Sequence, residues 1–120
     1  MTEDTVLEWI YANRGKLSTS LYLYSADALA AAASRLATLL PAGARLFYSL
    51  KANPQPAIVA RFAELGCRPE VASTGERRTC TLGGRAPEDV HVGGVSKSAQ
   101  ALAEVCASGC LAVVLDSMAE

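Results

Sequence analysis

Leu46-Phe47-Tyr48-Ser49-Leu50-Lys51-Ala52-Asn53-Pro54 passes from an apolar stretch through a lysine into a helix-start signal. Leu46–Leu50 is short, aromatic and apolar, as a strand is. Lys51 closes it. Asn53 suits an N-cap, and Pro54 suits the first position of a helix, where its missing N–H costs nothing. Ile58, Phe62 and Leu65 then recur at i, i+4 and i+7, one face of a helix. Gly66 fits the position just past the helix end. The stretch is therefore a strand, a polar turn, a helix and a glycine stop.

The same unit recurs on both sides. Downstream, Arg68–Ala72 reads as a short strand, and Ser73-Thr-Gly-Glu76 matches a capping box. A helix to about Leu82 follows, broken by Gly83-Gly84. Val90–Val92 is the next strand. A helix from about Lys97 to Ser108 presents Leu102, Val105 and Cys106 on one face, with Gly109 behind it. Leu111–Leu115 is almost wholly apolar, the pattern of a parallel strand covered on both faces. Upstream, Ser25-Ala-Asp27 starts an alanine-rich helix with Leu29, Ala33, Leu36 and Leu40 on one side, ended by Pro41 and Gly43. Leu21–Tyr24 reads as a leading strand. Leu7, Ile10 and Tyr11 mark a short first helix that stops at Gly15. From Leu46 onward four strands alternate with three helices, which predicts an α/β fold with a parallel sheet and right-handed crossovers. Residues 1–24 read as a helix and leading strand, and 25–120 as the β/α portion.

Composition agrees and excludes other classes. The chain has 120 residues, 51% hydrophobic and 19% charged, a globular balance. Eleven Lys and Arg against 12 Asp and Glu leave a net charge of −1, which draws the chain to neither nucleic acid nor an anionic membrane. Apolar runs are too short for a transmembrane helix. The acidic start Met1-Thr-Glu-Asp4 is unlike a secretory signal, so the expected location is the cytoplasm. Cys67, Cys80, Cys106 and Cys110 form no CxxC pair, and His91 is the only histidine, so no metal site is expected. The cysteines read as reduced thiols of a cytosolic protein.

Parallel α/β folds carry their sites at the carboxyl ends of the strands. Those ends here are Ser49–Asn53, Glu70–Ser73, Gly93–Lys97 and Asp116-Ser117. Lys51 stands out. A lysine partly desolvated at such a mouth has a lowered pKa and a nucleophilic amine, which can condense with an aldehyde cofactor. By spacing alone, a lysine closing a strand is ordinarily just solvated. Gly93-Gly-Val-Ser-Lys-Ser98 is not a Walker A loop.

Phe47-Tyr-Ser-Leu-Lys-Ala-Asn-Pro-Gln-Pro56 resembles the signature around the cofactor lysine of the fold-type III pyridoxal-phosphate enzymes, in the ornithine/diaminopimelate/arginine decarboxylase family. That family typically reads Y-[AS]-[VL]-K-[AC]-N-P. The resemblance continues through Glu70-Val-Ala-Ser-Thr-Gly-Glu76, Val92-Gly-Gly-Val-Ser-Lys-Ser98 and Val114-Leu-Asp-Ser-Met-Ala-Glu120, in the family's order. Leu21-Tyr-Leu-Tyr24 is similar to the family's opening T-P-L-Y-V-Y, with Ser20 where proline is usual.

The resemblance implies the N-terminal half of a (β/α)8, TIM-like barrel and pyridoxal 5'-phosphate as cofactor. It implies that Lys51 is the Schiff-base lysine. Ser49 then lines the cofactor ring. Glu70 stands where the family usually has Asp, and Ser73 and Glu76 match positions at the barrel mouth. For these last two the capping box is the competing explanation. Lys97 matches the family's turn lysine, and His91 matches no family role. The implied reaction is decarboxylation of a small-molecule amino acid, carrier-bound ones included, by a homodimer of the full-length enzyme. The variants Ser-Leu-Lys and Pro-Glu-Val-Ala-Ser are similar to those of secondary-metabolism members. The family's Gly-rich phosphate loop, ring-stacking histidine and second domain lie further along than residue 120, and a whole barrel takes about 250 residues. The isolated chain is therefore expected to be inactive. Three other readings stand beside this one: a non-catalytic truncated remnant, part of an alanine-racemase-like enzyme, and an α/β binding domain for another ligand.

Overall fold

The computed structural model describes residues 3–17, 20–95 and 97–118. Helix α1 (Glu3–Asn13) runs into a 3-10 turn at Arg14–Lys16, and α2 (Ala26–Ala37) follows. Three β/α steps and a fourth strand then succeed one another: β1 (Phe47–Ser49), α3 (Pro56–Glu64), β2 (Arg68–Val71), α4 (Thr74–Leu82), β3 (His91–Val92), α5 (Ala99–Ser108) and β4 (Ala112–Val113). The strands lie in the order β1-β2-β3-β4, every pair parallel. Neighbours in sequence are neighbours in the sheet, the order of a β/α barrel and not of a doubly wound sheet, whose order reverses.

The pleat gives the sheet two chemically different faces. Leu50, Val71, Val90 and Val92 join Val59 of α3, Cys80 of α4 and Val105 of α5 in one buried cluster, with Tyr48 and Val113 packed on it. That is the helix-covered side. The alternate residues Phe47, Ser49, Arg68, Glu70 and His91 make the other face, half-buried and largely polar. Pro69 fits a central strand because of register. Arg68 N–H donates to Leu46 of the β1 side, while Val71 accepts from Gly93 of the β3 side. Residue 69 thus also faces β3, ahead of the first β2–β3 pair at Glu70, where a missing donor breaks no ladder bond.

Several expectations need correction. Leu21–Tyr24 is no strand: it lies outside the sheet, with Tyr22 91% exposed. Its aromatic-apolar composition satisfies strand propensity, but no described strand pairs with it. Helix α3 starts two residues later than Asn53-Pro54 suggests, with Gln55 as N-cap and Pro56 in the first turn. The reason is a 3-10 turn at Leu50–Ala52, after which Asn53 is fully extended, φ −163°. The Asn53 side chain instead accepts from Gln55 N–H at 3.0 Å. Strand β4 is shorter than Leu111–Leu115 and is not covered on both faces, since Leu115 is 60% exposed at the sheet's edge. Cys106 points out of α5 to solvent. Helix α2 ends at Ala37, leaving Leu40 outside it. Among the described residues no helix is long and apolar enough to cross a membrane.

Candidate functional site

The polar face meets the strands' carboxyl ends in one region. Ser49 is the last residue of β1 and stands in register with Glu70 of β2, which stands in register with His91 of β3. The His91 ring lies 5.3 Å from that of Phe47, tilted by 56°. Lys51 comes two residues after Ser49, in the 3-10 turn, and is exposed. The described residues do not build the desolvated mouth expected for it, since Lys51 is exposed. The Glu70 carboxylate reaches over β3 and ends above Gly93. A Cβ built at Gly93 would sit 2.6 Å from Glu70 Oε1.

The loop carrying Lys51 is held from the helix side by a residue that sequence reasoning passed over. The Tyr48 hydroxyl donates to the Asn53 carbonyl at 3.0 Å, and its ring stacks on Phe62 of α3 at 4.1 Å. Leu50, fully buried, anchors the same turn. Burial raises the Tyr48 pKa, with Tyr24 adding to the rise and the bond to Asn53 opposing it. The phenol therefore stays protonated as a donor. A tyrosine three residues before the lysine in an alternating strand was the signal available, since it must face away from Ser49 and towards the core.

Ser73 and Glu76 sit at the start of α4 and cap it. Glu76 N–H donates to Ser73 Oγ at 3.2 Å, and Ala72 N–H donates to Glu76 Oε2 at 2.7 Å. The carboxylate thus reaches back one residue further than the usual capping box, and its charge suits the helix N-terminus. Ser98 caps α5 in the same way, accepting from Ala101 N–H at 3.1 Å. Lys97 is not a solvated helix-start residue. Its side chain is only 7% exposed, and its ammonium donates to the Gly94 carbonyl and to Asp116 Oδ2 at 3.2 Å. It ties the exit of β3 to the exit of β4.

A cavity of about 280 Å³ opens between the starts of α4 and α5, lined by Val71, Ser73, Arg77, Gly93, Lys97 and Glu104 among others. Of Ser49, Lys51, Glu70, Ser73 and Glu76, only Ser73 lines it, with Lys97 beside it. Ser49 and Glu70 stand in register on the polar face, Lys51 is exposed in the turn after β1, and Glu76 is engaged in its cap. Cys67 and Cys80 are buried. Burial pushes the Cys80 thiol up to about 11, Arg85 opposing and Glu76 adding to the shift, and burial raises Cys67 as well. Neither is a nucleophile near neutrality. No group of His, Cys, Asp and Glu among the described residues is arranged to hold a metal ion.

Comparison with known proteins places this geometry. A family model described as pyridoxal-dependent decarboxylase, pyridoxal binding domain, matches residues 26–120. The diaminopimelate decarboxylase of Zymomonas mobilis is 35% identical over 102 residues, covering 82% of this chain and 24% of the relative. Among solved structures, the diaminopimelate decarboxylase of Helicobacter pylori complexed with L-lysine aligns with a TM-score of 0.74 at 25% identity, over 92% of this chain and 28% of that one. The lysine/ornithine decarboxylase of Vibrio vulnificus complexed with putrescine aligns over 99% of this chain and 32% of that one, with a TM-score of 0.86 at 23% identity, a likeness of fold alone. The chain spans about a quarter of the length of the curated relatives it matches. The expected fold, an α/β arrangement making part of a TIM-like barrel, stands.

Proposed function

Because the chain belongs to the pyridoxal-dependent decarboxylases, through their pyridoxal-binding domain, we propose that it is the part of an amino-acid decarboxylase that anchors pyridoxal 5'-phosphate, with Lys51 as the anchoring residue. One observation carries the assignment. Lys51 follows the first strand of the matched parallel sheet, at the carboxyl end where such folds bind ligands, with its side chain in the open.

The donor set fits the group. An exposed primary amine meets an aldehyde, while a hydroxyl and a carboxylate in register on one face suit a polar heteroaromatic ring. When bound, pyridoxal phosphate supplies the electron sink that carboxylate loss from an amino acid requires. The chain's own residues do the rest. Lys51 holds the cofactor and so sets where its reacting carbon lies. Tyr48 and Leu50 fix the Lys51 turn from the core side. Glu70 presents an acceptor beside Ser49. Ser73 and Glu76 serve by fixing the start of α4, and any contact of theirs with the cofactor is secondary to that cap. Residues 25–120 form the cofactor-holding portion and 1–24 a leading segment.

The substrate in this reading is a small amino acid of the diaminopimelate, lysine or ornithine kind, the working enzyme is a homodimer, and the setting is cytoplasmic. The 120-residue chain alone is expected to release no CO₂. The test is to mix it with pyridoxal phosphate, reduce with borohydride, and map the modified peptide. Modification at Lys51, lost in Lys51→Ala, is the expected result. Equal labelling of both chains, at Lys16 or Lys97, would refute the assignment.

A further inference from the structure

Gly93 is buried, and its backbone has nowhere to go. Its N–H donates to Val71 O at 2.8 Å, continuing the β2–β3 ladder. The next residue, Gly94, is wedged against Ala72, whose carbonyl oxygen would lie 2.9 Å from a Cβ there. Gly93 itself does not hold the left-handed backbone for which glycine is usually kept. What it lacks is a side chain, on the face and at the height where one would meet Glu70 Oε1 at 2.6 Å, with the Glu70 carboxyl carbon at 3.7 Å. Real Cβ atoms do not approach a neighbour that closely. With the ladder holding 93 and Gly94 wedged behind it, the movable partner is the end of the glutamate.

We propose that Gly93 is a positioning residue for Glu70: by carrying no side chain it leaves the space in which the carboxylate lies across β3, and so sets where the negative charge of the cofactor face stands. This rests on the reading of that face as the pyridoxal-phosphate site. A methyl group at 93 displaces the carboxylate without removing it. A glutamine at 70 has the same length and meets the same obstruction. An aspartate at 70 is one methylene shorter and stops short of it.

The pairing is tested with the 120-residue chain carrying Gly93→Ala in three backgrounds, Glu70, Glu70→Gln and Glu70→Asp. Two readouts are taken: unfolding by denaturant without cofactor, and pyridoxal-phosphate affinity by absorbance titration. Gly93→Ala is expected to weaken cofactor binding about tenfold beside Glu70, the middle of the range for residues in contact, and less than about twofold beside Asp. The stability cost should be present with Glu and Gln and largely absent with Asp. Equal effects of Gly93→Ala in all three backgrounds would overturn the proposal. If Gly93→Ala alone does not fold, recovery of folding with Glu70→Asp supports it, and failure of that double variant refutes it. Should the unsubstituted chain take up no pyridoxal phosphate while the stability coupling persists, the functional reading falls and the Gly93–Glu70 packing stands. Should cofactor bind while the coupling is absent, the packing argument alone falls.

Discussion

A methyl group at Gly94 is opposed twice. The residue has φ +86°, where an L side chain clashes with its own backbone, and its Cβ would press on the Ala72 carbonyl, a group that cannot swing aside. Gly94→Ala is expected to cost about 3 kcal/mol in denaturant unfolding. Gly43→Ala, with φ +84° in open space, is expected to cost about 1 kcal/mol. Cys80 gives a pH signature. Burial raises its thiol from 9.0 to about 11, so the native state keeps a proton that the unfolded chain gives up first. Its contribution to stability is complete below about pH 9 and is lost as pH rises towards 11. Thermal unfolding from pH 8 to 11 should therefore fall more steeply in the unsubstituted chain than in Cys80→Ala. At this scale the position of Lys51 just after a strand was legible, because a strand end and a motif are local. The partners of Tyr48 and Lys97 were not, since each is fixed by a neighbour across a loop or a strand.

Helix starts read well at Ser25 and Ser73, whereas the start of α5, read at about Lys97, falls after Ser98. Ser73 and Ser98 cap α4 and α5 as serines before helices should. Ser73→Ala and Ser98→Ala are each expected to cost about 1 kcal/mol of stability. Ser73→Ala should leave pyridoxal-phosphate affinity within about twofold, since its oxygen already accepts from Glu76 N–H. A larger loss, measured by absorbance titration, would give Ser73 a direct part in cofactor binding. The start of α3 was misread because two proline signals compete there, and the turn after β1 uses Asn53 to bridge rather than to cap. Leu21–Tyr24 shows the opposite failure. Its residues favour a strand, but a strand exists only with a partner, and partnership is not a local property.

The molecule as a whole is open. Its radius of gyration is 17.2 Å, against about 13.6 Å for a compact chain of this length. Among the described residues no strand pairs with the outer edge of β4, beside Leu115 at 60% and Met118 at 104% exposure. Such an edge recruits other strands. Sedimentation of the 120-residue chain should show apparent mass rising with concentration, and Leu115→Lys should reduce that rise.

The sequence alone determined the β/α alternation, the parallel class, the helix starts at Ser25 and Ser73, the family and the placing of a lysine after the first barrel strand. These depend on residues within a turn or two of one another, or on motif order. Only the tertiary structure decided which side of the sheet is polar, where the Glu70 carboxylate ends, why residue 93 is bare, and that Lys97 is buried against Asp116. Each of these depends on strand register. Side chains alternate with a period of two, so a slip of one residue would turn every one of them to the opposite face.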